Sequence, residues 1–555
     1  MFDYKQYIAE AVTAVLEGAL PLHEVHGLIE YPKNPEMGDY SFPCFRLSKA
    51  LRKAPPVIAQ EIAQKIREAG LPLMRRIEAV SGFVNFELEP RHLAENLLHS
   101  VLTEQDRFGN STLGADRLVI VEYSSTNIAK PFHIGHMRST VIGESLQRIY
   151  RAMGYRTYRI NHLGDYGTQF GKLIVAYRKW GEEQAVRANP IPELHKLYVR
   201  FHSEAESDPS LDEQAREQFT KLEQGDPEAK RLWQFFVDVS LQEFARVYKK
   251  LDIEYDSYNG ESFYSDKMGA VLDQLRDQNL VQKSEGAEII DLEDVGLIPA
   301  LVTKKDGSTL YLTRDIAAAI YRKTTYDFHK CIYVVGEAQS LHFKQLFAVL
   351  RKMGFGWVED CVHVAFGMVD LGGAKLSTRA GNVVFLDDVL EAAREATLRI
   401  IEEKNPTLKD KDEVAKQVGY GAVIFQELYT SRDKDYSFQI DKVTSFQGET
   451  GPYVQYTHAR CCSILSKNGA FTQDSVRMAD SVDYGLLSDA ASIDVLKQIR
   501  KFPEIIDLAH RVYEPHHIAR FAVDLAQMFN RFYHDYTILT EDAALTTARL
   551  ELVKA

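Results

Sequence analysis

The chain reads as an α/β protein: an open parallel sheet, preceded by a smaller α+β domain and followed by an all-α helical bundle. Three observations predict this class. Leu118-Val-Ile-Val121 is a short apolar run of the kind that a parallel strand buried on both faces needs. It leads through the polar stretch Glu122–His136 into Ile142, Leu146, Ile149 and Met153 at helical spacing, and then into a second strand, Arg156-Thr-Tyr-Arg-Ile160. Beyond about residue 390 the pattern is predominantly helical, with Ile518, Phe521, Ala522, Leu525, Phe529 and Phe532 spaced three and four apart as in a bundle core.

In chain order, residues 1–115 form the first domain. A helical opening leads to a loop with Pro32, Asn34, Pro35, Gly38 and Asp39, and a helix follows near Pro55–Ala69. Ser81–Leu88 then predicts a half-buried strand, with Val84, Phe86 and Leu88 on one face and Asn85 and Glu87 on the other. The parallel sheet occupies 116–390, interrupted at about 172–300 by a charged, mostly helical insertion in which Pro209–Glu217 reads as solvated helix. The sheet is expected to resume near Leu310–Asp315, to continue through Cys331–Val335 and to reach Val362–Val369. Residues 391–445 read as a helical connection, and 446–555 as the helical domain.

With 555 residues, 45% of them hydrophobic, the chain has material for several packed cores. Its five cysteines contain no C-x-x-C pair, so neither a zinc ribbon nor a disulfide framework is indicated and reduced thiols are expected. The start, Met-Phe-Asp-Tyr-Lys-Gln-Tyr, lacks the apolar core of a signal peptide, and no run of about 18 apolar residues suggests a membrane span. A soluble cytoplasmic protein with no membrane partner is the expectation. The net charge of -13 does not exclude a nucleic-acid partner, because an acidic chain can still present local basic surface.

The chemistry concentrates where strand gives way to helix, at Glu122-Tyr-Ser-Ser-Thr-Asn-Ile-Ala-Lys130-Pro-Phe-His133-Ile-Gly-His136. Exposed amides and the positive end of a helix dipole favour phosphate there. Gly135 allows close approach, and His133 and His136 can share one side of the first turn and donate hydrogen bonds to developing charge. Two histidines three apart are also compatible with satisfied surface residues or half of a metal site. The continuation, Asn161-His-Leu-Gly-Asp-Tyr-Gly-Thr-Gln-Phe-Gly171, favours a ligand crevice at strand ends. No G-x-G-x-x-G or G-x-x-x-x-G-K-[ST] run is present, which argues against dinucleotide and P-loop sites.

Four segments, Glu122–Gly143, Asn161–Gly171, Tyr311-Leu-Thr-Arg-Asp315 and Lys375-Leu-Ser-Thr-Arg-Ala-Gly381, resemble in order and spacing the motifs of the class I aminoacyl-tRNA synthetases, and within them the arginyl enzymes. The resemblance extends over nearly the whole chain. It implies a Rossmann-like catalytic domain, an N-terminal domain touching the tRNA D-loop, and a helical anticodon-binding domain. It also implies ATP with Mg²⁺, L-arginine and tRNA-Arg as ligands, no dedicated metal site, and a monomer. Activation would give arginyl adenylate and pyrophosphate, and the arginyl group would pass to the 3′-terminal ribose of the tRNA. The short insertion fits an enzyme without editing, since the long planar cation of arginine has no close natural mimic.

The family's roles carry over residue by residue. His133, Gly135 and His136 would meet the triphosphate, and the backbone of Met368 and Val369 would meet adenine. A guanidinium wants a carboxylate that accepts in pairs, for which Asp315 is the leading candidate, with Tyr311 one helical turn before it. Glu122, Ser125, Asn127 and Gln339 match positions that hold the other end of arginine, and His342 approaches the same crevice. Phe83 and Asn85, and Tyr453, Gln455, Tyr456 and Tyr533, match tRNA-contacting positions. The family's second motif normally ends Lys-Met-Ser-Lys-Ser, yet Thr378 stands in the place of its second lysine. Positive charge at the departing pyrophosphate is then expected from Lys130, with Lys375 or Arg379 assisting. Family members run on past the position of Ala555, so a clipped C-terminus is expected. The alternatives are a related nucleotidyltransferase, which has no use for the helical C-terminal domain, and an inactive tRNA-binding relative, against which stand the intact His133, Gly135, His136, Tyr311 and Asp315.

Overall fold

The computed structural model describes residues 2–305, 310–370, 385–467, 479 and 481–555. It divides into two units, one of Met1–Phe108, Tyr456–Pro503 and Asp524–Ala555, the other of Gly109–Gln455 and Glu504–Val523.

In the first unit β1 (Tyr40–Pro43), β2 (Met74–Val80) and β3 (Phe83–Leu88) form an antiparallel sheet with β3 in the middle. Phe42, Val84 and Phe86 are fully buried. The helix Pro55–Ala69 covers the sheet with Ile58, Ala59, Ile62, Ala63 and Ile66, and its prolines stand in the first turn, where the missing N–H costs nothing. One apolar core joins this sheet to helices of the C-terminal part, through residues such as Leu496, Phe532 and Leu550.

The strand at 83–88 forms as predicted, but Asn85 does not face solvent. It is 6% exposed, accepts a hydrogen bond of 2.7 Å from Ser41 Oγ, and lies against Met37 Sδ at 3.9 Å. The reason is its place in a central strand, with a neighbour on each side and the turn at Pro35–Met37 nearby, which a two-residue alternation cannot reveal.

The second unit is built on the strands β4 (Leu118–Glu122) and β5 (Arg156–Ile160), joined by the helix Ile134–Ala152. Val119, Ile120 and Val121 are fully buried, as parallel strands covered on both faces must be. The insertion is helical through Thr168–Trp180, Pro190–Ser207, Ser210–Glu223 and Pro227–Lys250. The third of these is not simply solvated: it buries Leu211, Ala215, Gln218 and Leu222. The insertion then ends in a small antiparallel sheet of β6 (Val281–Ser284), β7 (Ala287–Ile290) and β8 (Ala300–Thr303), which the sequence reading did not anticipate.

The parallel sheet does not resume at 310–315. Tyr311–Tyr326 is a helix whose Leu312, Ile316 and Ala319 pack on the sheet residues Ile120, Cys331 and Tyr333. The apolar pair Leu310 and Leu312 mimics a strand, and the helical period only emerges over a longer window. The sheet continues in β9 (Lys330–Gly336) and β10 (Cys361–Phe366), with the order β10-β9-β4-β5 and every pair parallel. The chain then makes β11 (Val369–Asp370), which pairs in parallel with β12 (Tyr436–Ser437). Helices Leu386–Lys404 and Lys411–Tyr429 lie between those two strands in sequence.

All five cysteines are free. Among the described residues no helix is long and apolar enough to cross a membrane, and no group of three His, Cys, Asp or Glu side chains could hold a metal ion.

Candidate active site

β5 follows β4 on one side while β9 lies on the other, so the order of the sheet reverses between β4 and β9. At such a switch point the loops leaving the two strands part and open a crevice at their carboxyl ends. Glu122 ends β4 opposite Tyr333 of β9. The crevice is a cavity of about 490 Å³ lined by Glu122, Ser125, Asn127, Tyr311, Asp315 and Gln339. All six residues expected to hold an amino acid therefore meet at one place, though they come from three stretches of the chain.

The loop after β4 is held in unusual backbone. Ser124, Ser125 and Ala129 have φ of 70°, 48° and 59°, a region L-residues rarely adopt unless their surroundings hold them there. Ser139 Oγ accepts from the Ser124 amide at 3.1 Å, Ser124 Oγ meets Tyr248 Oη at 2.8 Å, and Asn161 Nδ2 donates to that same Tyr248 oxygen at 2.8 Å. Ser125 Oγ is sealed from solvent without a protein partner, at the cavity wall. Such an atom has an unmet hydrogen bond to offer a ligand.

Charge is concentrated around the cavity. Asp315 meets His342 Nε2 at 2.6 Å and stands 3.9 Å from His162. Burial opposes the Asp315 charge, but the His342 hydrogen bond, backed by the charges of His342, His162 and Arg314, holds its carboxyl below the usual value. The partner is shifted the other way: burial opposes the His342 charge, yet the hydrogen bond and charge of Asp315 raise that ring's value. Glu122 pairs with Arg322 at 2.5 Å, with both side chains almost wholly buried. A buried pair of this kind adds little net stability, but removing one member strands the other at a cost of about 3–5 kcal/mol. Glu261, on the same wall, lies 3.0 Å from Arg314, and burial lifts its carboxyl to about 7 against the pull of that arginine.

His162, Glu261, Arg322 and Tyr333 line the cavity without having been singled out as site residues. Arg322 had a signal: it follows Asp315 by seven, two helical turns along the same face. Glu261 had none, since it enters from the insertion, on a 3-10 turn after Gly260.

His133 is the N-cap of the helix Ile134–Ala152, and the two histidines form a reciprocal cap. The Gly135 amide donates to His133 Nδ1 at 3.1 Å, and the His133 amide donates to His136 Nδ1 at 3.3 Å. The rings stack with centroids 3.7 Å apart. A Cβ on residue 135 would lie 3.1 Å from the His133 ring, so glycine keeps that ring in place. Burial first, and the Lys130 charge second, lower His133 to about 4, and His136 is lowered likewise by burial, by His133 and by Lys130. Both rings are therefore neutral at pH 7. With Nδ1 accepting in the cap, the proton sits on Nε2, from which each ring can donate to a phosphate oxygen.

Of the expected adenine-contacting pair, Met368 has both backbone groups turned inward: its amide donates to Asp435 Oδ1 at 2.6 Å and its carbonyl accepts from the Tyr436 amide at 3.1 Å. Strand alternation turns the backbone groups of Val369 to the opposite edge. Lys375, Thr378 and Arg379 lie outside the described residues. The chain just beyond them returns to the histidines, where His133 bridges to Phe385 and the Leu386 amide donates to the Phe132 carbonyl at 2.9 Å.

The expected tRNA contacts fall elsewhere. Phe83 is half-buried and edge-on to the exposed Phe45, at 5.1 Å. Tyr453, Gln455 and Tyr456 share the helix Gly451–Lys467. Gln455 has its side-chain oxygen sealed from solvent, and Tyr453 is half-buried. Tyr456 and Tyr533 are exposed, with the Arg460 guanidinium 5.0 and 4.9 Å from their rings.

Three family models match the chain: the catalytic domain of class I tRNA synthetases of the arginine type over residues 97–440, the DALR anticodon binding domain over 454–555, and the arginyl tRNA synthetase N-terminal domain over 3–88. An arginine-tRNA ligase of Clostridioides difficile is 55% identical over 555 residues, covering 100% of this chain and 96% of its own. One from Halothermothrix orenii is 50% identical over the same span, with the same coverage. Among solved structures, the Thermus thermophilus arginyl-tRNA synthetase aligns with a TM-score of 0.80 at 26% identity, covering 99% of this chain and 96% of that one. The Plasmodium falciparum enzyme aligns at 0.77 and 26%, covering 99% and 94%.

Proposed function

The chain belongs to the class I arginyl-tRNA synthetases, which activate L-arginine with ATP to arginyl adenylate and pyrophosphate and transfer it to the 3′-terminal ribose of tRNA-Arg, and from that premise we propose how its residues divide the work. The supporting observation is the convergence of Glu122, Ser125, Asn127, Tyr311, Asp315 and Gln339 on one cavity.

In this reading Asp315 accepts from the arginine guanidinium, with Glu261 facing it and the Tyr311 hydroxyl alongside. Glu122, Ser125, Asn127 and Gln339 hold the ammonium and carboxylate, and the Glu122–Arg322 pair keeps the first of these aimed. His133 and His136 donate from Nε2 to the triphosphate, and the Val369 backbone meets adenine. Catalysis is then mainly alignment of the arginine carboxylate with the α-phosphate and relief of charge on the departing pyrophosphate. Mg²⁺ arrives on the ATP phosphates. Phe83 and Asn85 are proposed for the D-loop, and Tyr453, Gln455, Tyr456 and Tyr533 for the anticodon side. We place the enzyme in the cytoplasm as a monomer, in keeping with its free thiols and its substrates.

The test of this reading is ATP-pyrophosphate exchange with arginine, run with and without tRNA-Arg because resemblance to the family implies that tRNA can be needed for activation. Arginine-dependent exchange in the presence of tRNA is expected; exchange driven by another amino acid would overturn the assignment.

The Asp315–His342 pair carries a pH dependence whose sign can be worked out. Arginine brings a second cation to a carboxylate already facing protonated His342, so arginine binds better once that ring is neutral. The arginine KM should fall as pH rises from about 6 through the raised His342 value and then level off. His342→Gln should flatten the curve. A KM that climbs over this window would contradict the pairing.

For the tRNA side, Tyr533→Ala should raise the tRNA KM about tenfold, the loss of one stacked base at about 1–3 kcal/mol. The KM values for ATP and arginine should stay put. A tRNA KM unchanged in this variant would take Tyr533 off the contact surface.

A further inference from the structure

Arg138 lies on the helix that His133 caps, two residues past His136, and is completely buried. Its guanidinium points away from the phosphate end and gathers backbone carbonyls: Met368 at 3.3 Å, Ser431 and Arg432 at 3.2 Å each, and Lys434 at 2.8 Å. Its plane also lies over the Tyr436 ring, 5.3 Å from the centroid. Its one carboxylate neighbour, Glu427, is no closer than 3.8 Å and instead accepts a hydrogen bond of 2.5 Å from Tyr436. A buried arginine usually exists to pair with an acid; this one spends its two terminal nitrogens on two stretches of main chain, while its Nε, on the Glu427 side, is buried without a hydrogen bond.

Those stretches are the strand end read above as meeting adenine and the segment that clamps it. The Gly367 amide donates to the Arg432 carbonyl at 2.7 Å, the Met368 amide to Asp435 at 2.6 Å, and the Tyr436 amide to the Met368 carbonyl at 3.1 Å. A Cβ on residue 367 would fall 2.6 Å from Asp435 Oδ1, so the two segments are in the closest contact that glycine permits. We propose that Arg138 is a positioning residue for ATP: it fixes the strand end at Met368–Val369 relative to the His133–His136 pair, and so sets the span between adenine and triphosphate. The inference rests on the reading that Val369 meets adenine and the histidines meet the phosphates. Lysine cannot replace it, because a compact ammonium with three donors cannot reach carbonyls spread over Met368 and Ser431–Lys434.

The experiment is exchange kinetics, with tRNA present, on Arg138→Lys, Glu427→Gln, the double variant and Val369→Pro, with ATP and with inosine triphosphate, whose 6-oxo group inverts the hydrogen bonding of adenine. Arg138→Lys should raise the ATP KM by about tenfold or more and cut the preference for ATP over inosine triphosphate by about tenfold. The arginine KM should stay within about twofold. Glu427→Gln should resemble wild type, and the double variant should resemble Arg138→Lys. These ratios do not depend on how much of a preparation is folded, so partial misfolding cannot imitate the result. If Arg138→Lys shows no exchange, ATP affinity by equilibrium titration decides, and an unchanged Kd overturns the proposal. It is also overturned if the nucleotide preference survives in Arg138→Lys, if arginine and ATP KM rise together, or if Glu427→Gln restores the lysine variant, since charge balance alone would then be at stake. Val369→Pro separates the premise from the inference. Loss of preference there but not in Arg138→Lys sinks only the role of Arg138, whereas full preference in Val369→Pro sinks the adenine reading and this inference with it.

Discussion

Replacing Asp315 by Asn should lower kcat/KM for arginine by a factor on the order of 10² to 10³ while leaving the ATP KM within about twofold. The magnitude follows from what the side chain faces. A guanidinium is never deprotonated and carries five donors, so every hydrogen bond it makes in the cavity requires an acceptor. A carboxamide offers one oxygen and turns an NH₂ toward a group that can only donate. Stranding one member of a desolvated charged pair costs about 2–5 kcal/mol, which sets the range. The same change removes the group that raises His342, so the pH dependence of the arginine KM should disappear with the affinity. Glu261→Gln should cost less, because burial already holds that carboxyl at about 7 and Arg314 already shares it. A specificity constant for Asp315→Asn within threefold of wild type would move guanidinium recognition to another residue.

Asp315 was legible before any coordinates because Tyr311–Asp315 resembles a family motif; a tyrosine and a carboxylate four apart would alone read as an ordinary surface pair, and the same residues also read as strand. The strand-to-helix turn at Glu122–His136 was legible more directly. Strands buried on both faces have no polar alternation to confuse them, and the helix that follows announces itself at Ile142, Leu146 and Ile149. What stayed hidden depends on partners distant in sequence. Asn85 alternates like a surface residue, but Ser41 and Met37 enclose it. The Glu122–Arg322 pair joins the end of one strand to the middle of a helix 200 residues on, and no periodicity connects them. The strands at 281–303 are four residues each and carry Gln282, Lys283 and Glu288, so they read as solvated chain. At 310–315 the error was one of window length: Leu310 is extended, and the helix begins at the very next residue.

Lys130→Ala should slow arginine activation by at least about tenfold, approaching the 10² to 10³ loss seen when a single donor to developing charge is removed. Two effects oppose each other here, and their relative size decides the sign. Lys130 supplies positive charge near the histidines, as its lowering of both His133 and His136 shows, and a departing pyrophosphate needs that charge where Thr378 stands in place of lysine. Removing Lys130 also relieves the repulsion that keeps His133 neutral, and a protonated ring could in principle take over. Burial, however, is the larger cause of the low His133 value and survives the mutation. The ring therefore stays neutral at pH 7 and the lost charge is not replaced. Two measurements follow from this. The activity of Lys130→Ala relative to wild type should recover as pH falls toward the His133 value, where the imidazolium begins to form, and the reverse reaction should show a raised pyrophosphate KM. A variant that activates arginine at the wild-type rate would remove Lys130 from this role. One that loses activity equally at every pH would mean that the ammonium acts through the placement of its hydrogen bonds, which an imidazolium cannot reproduce.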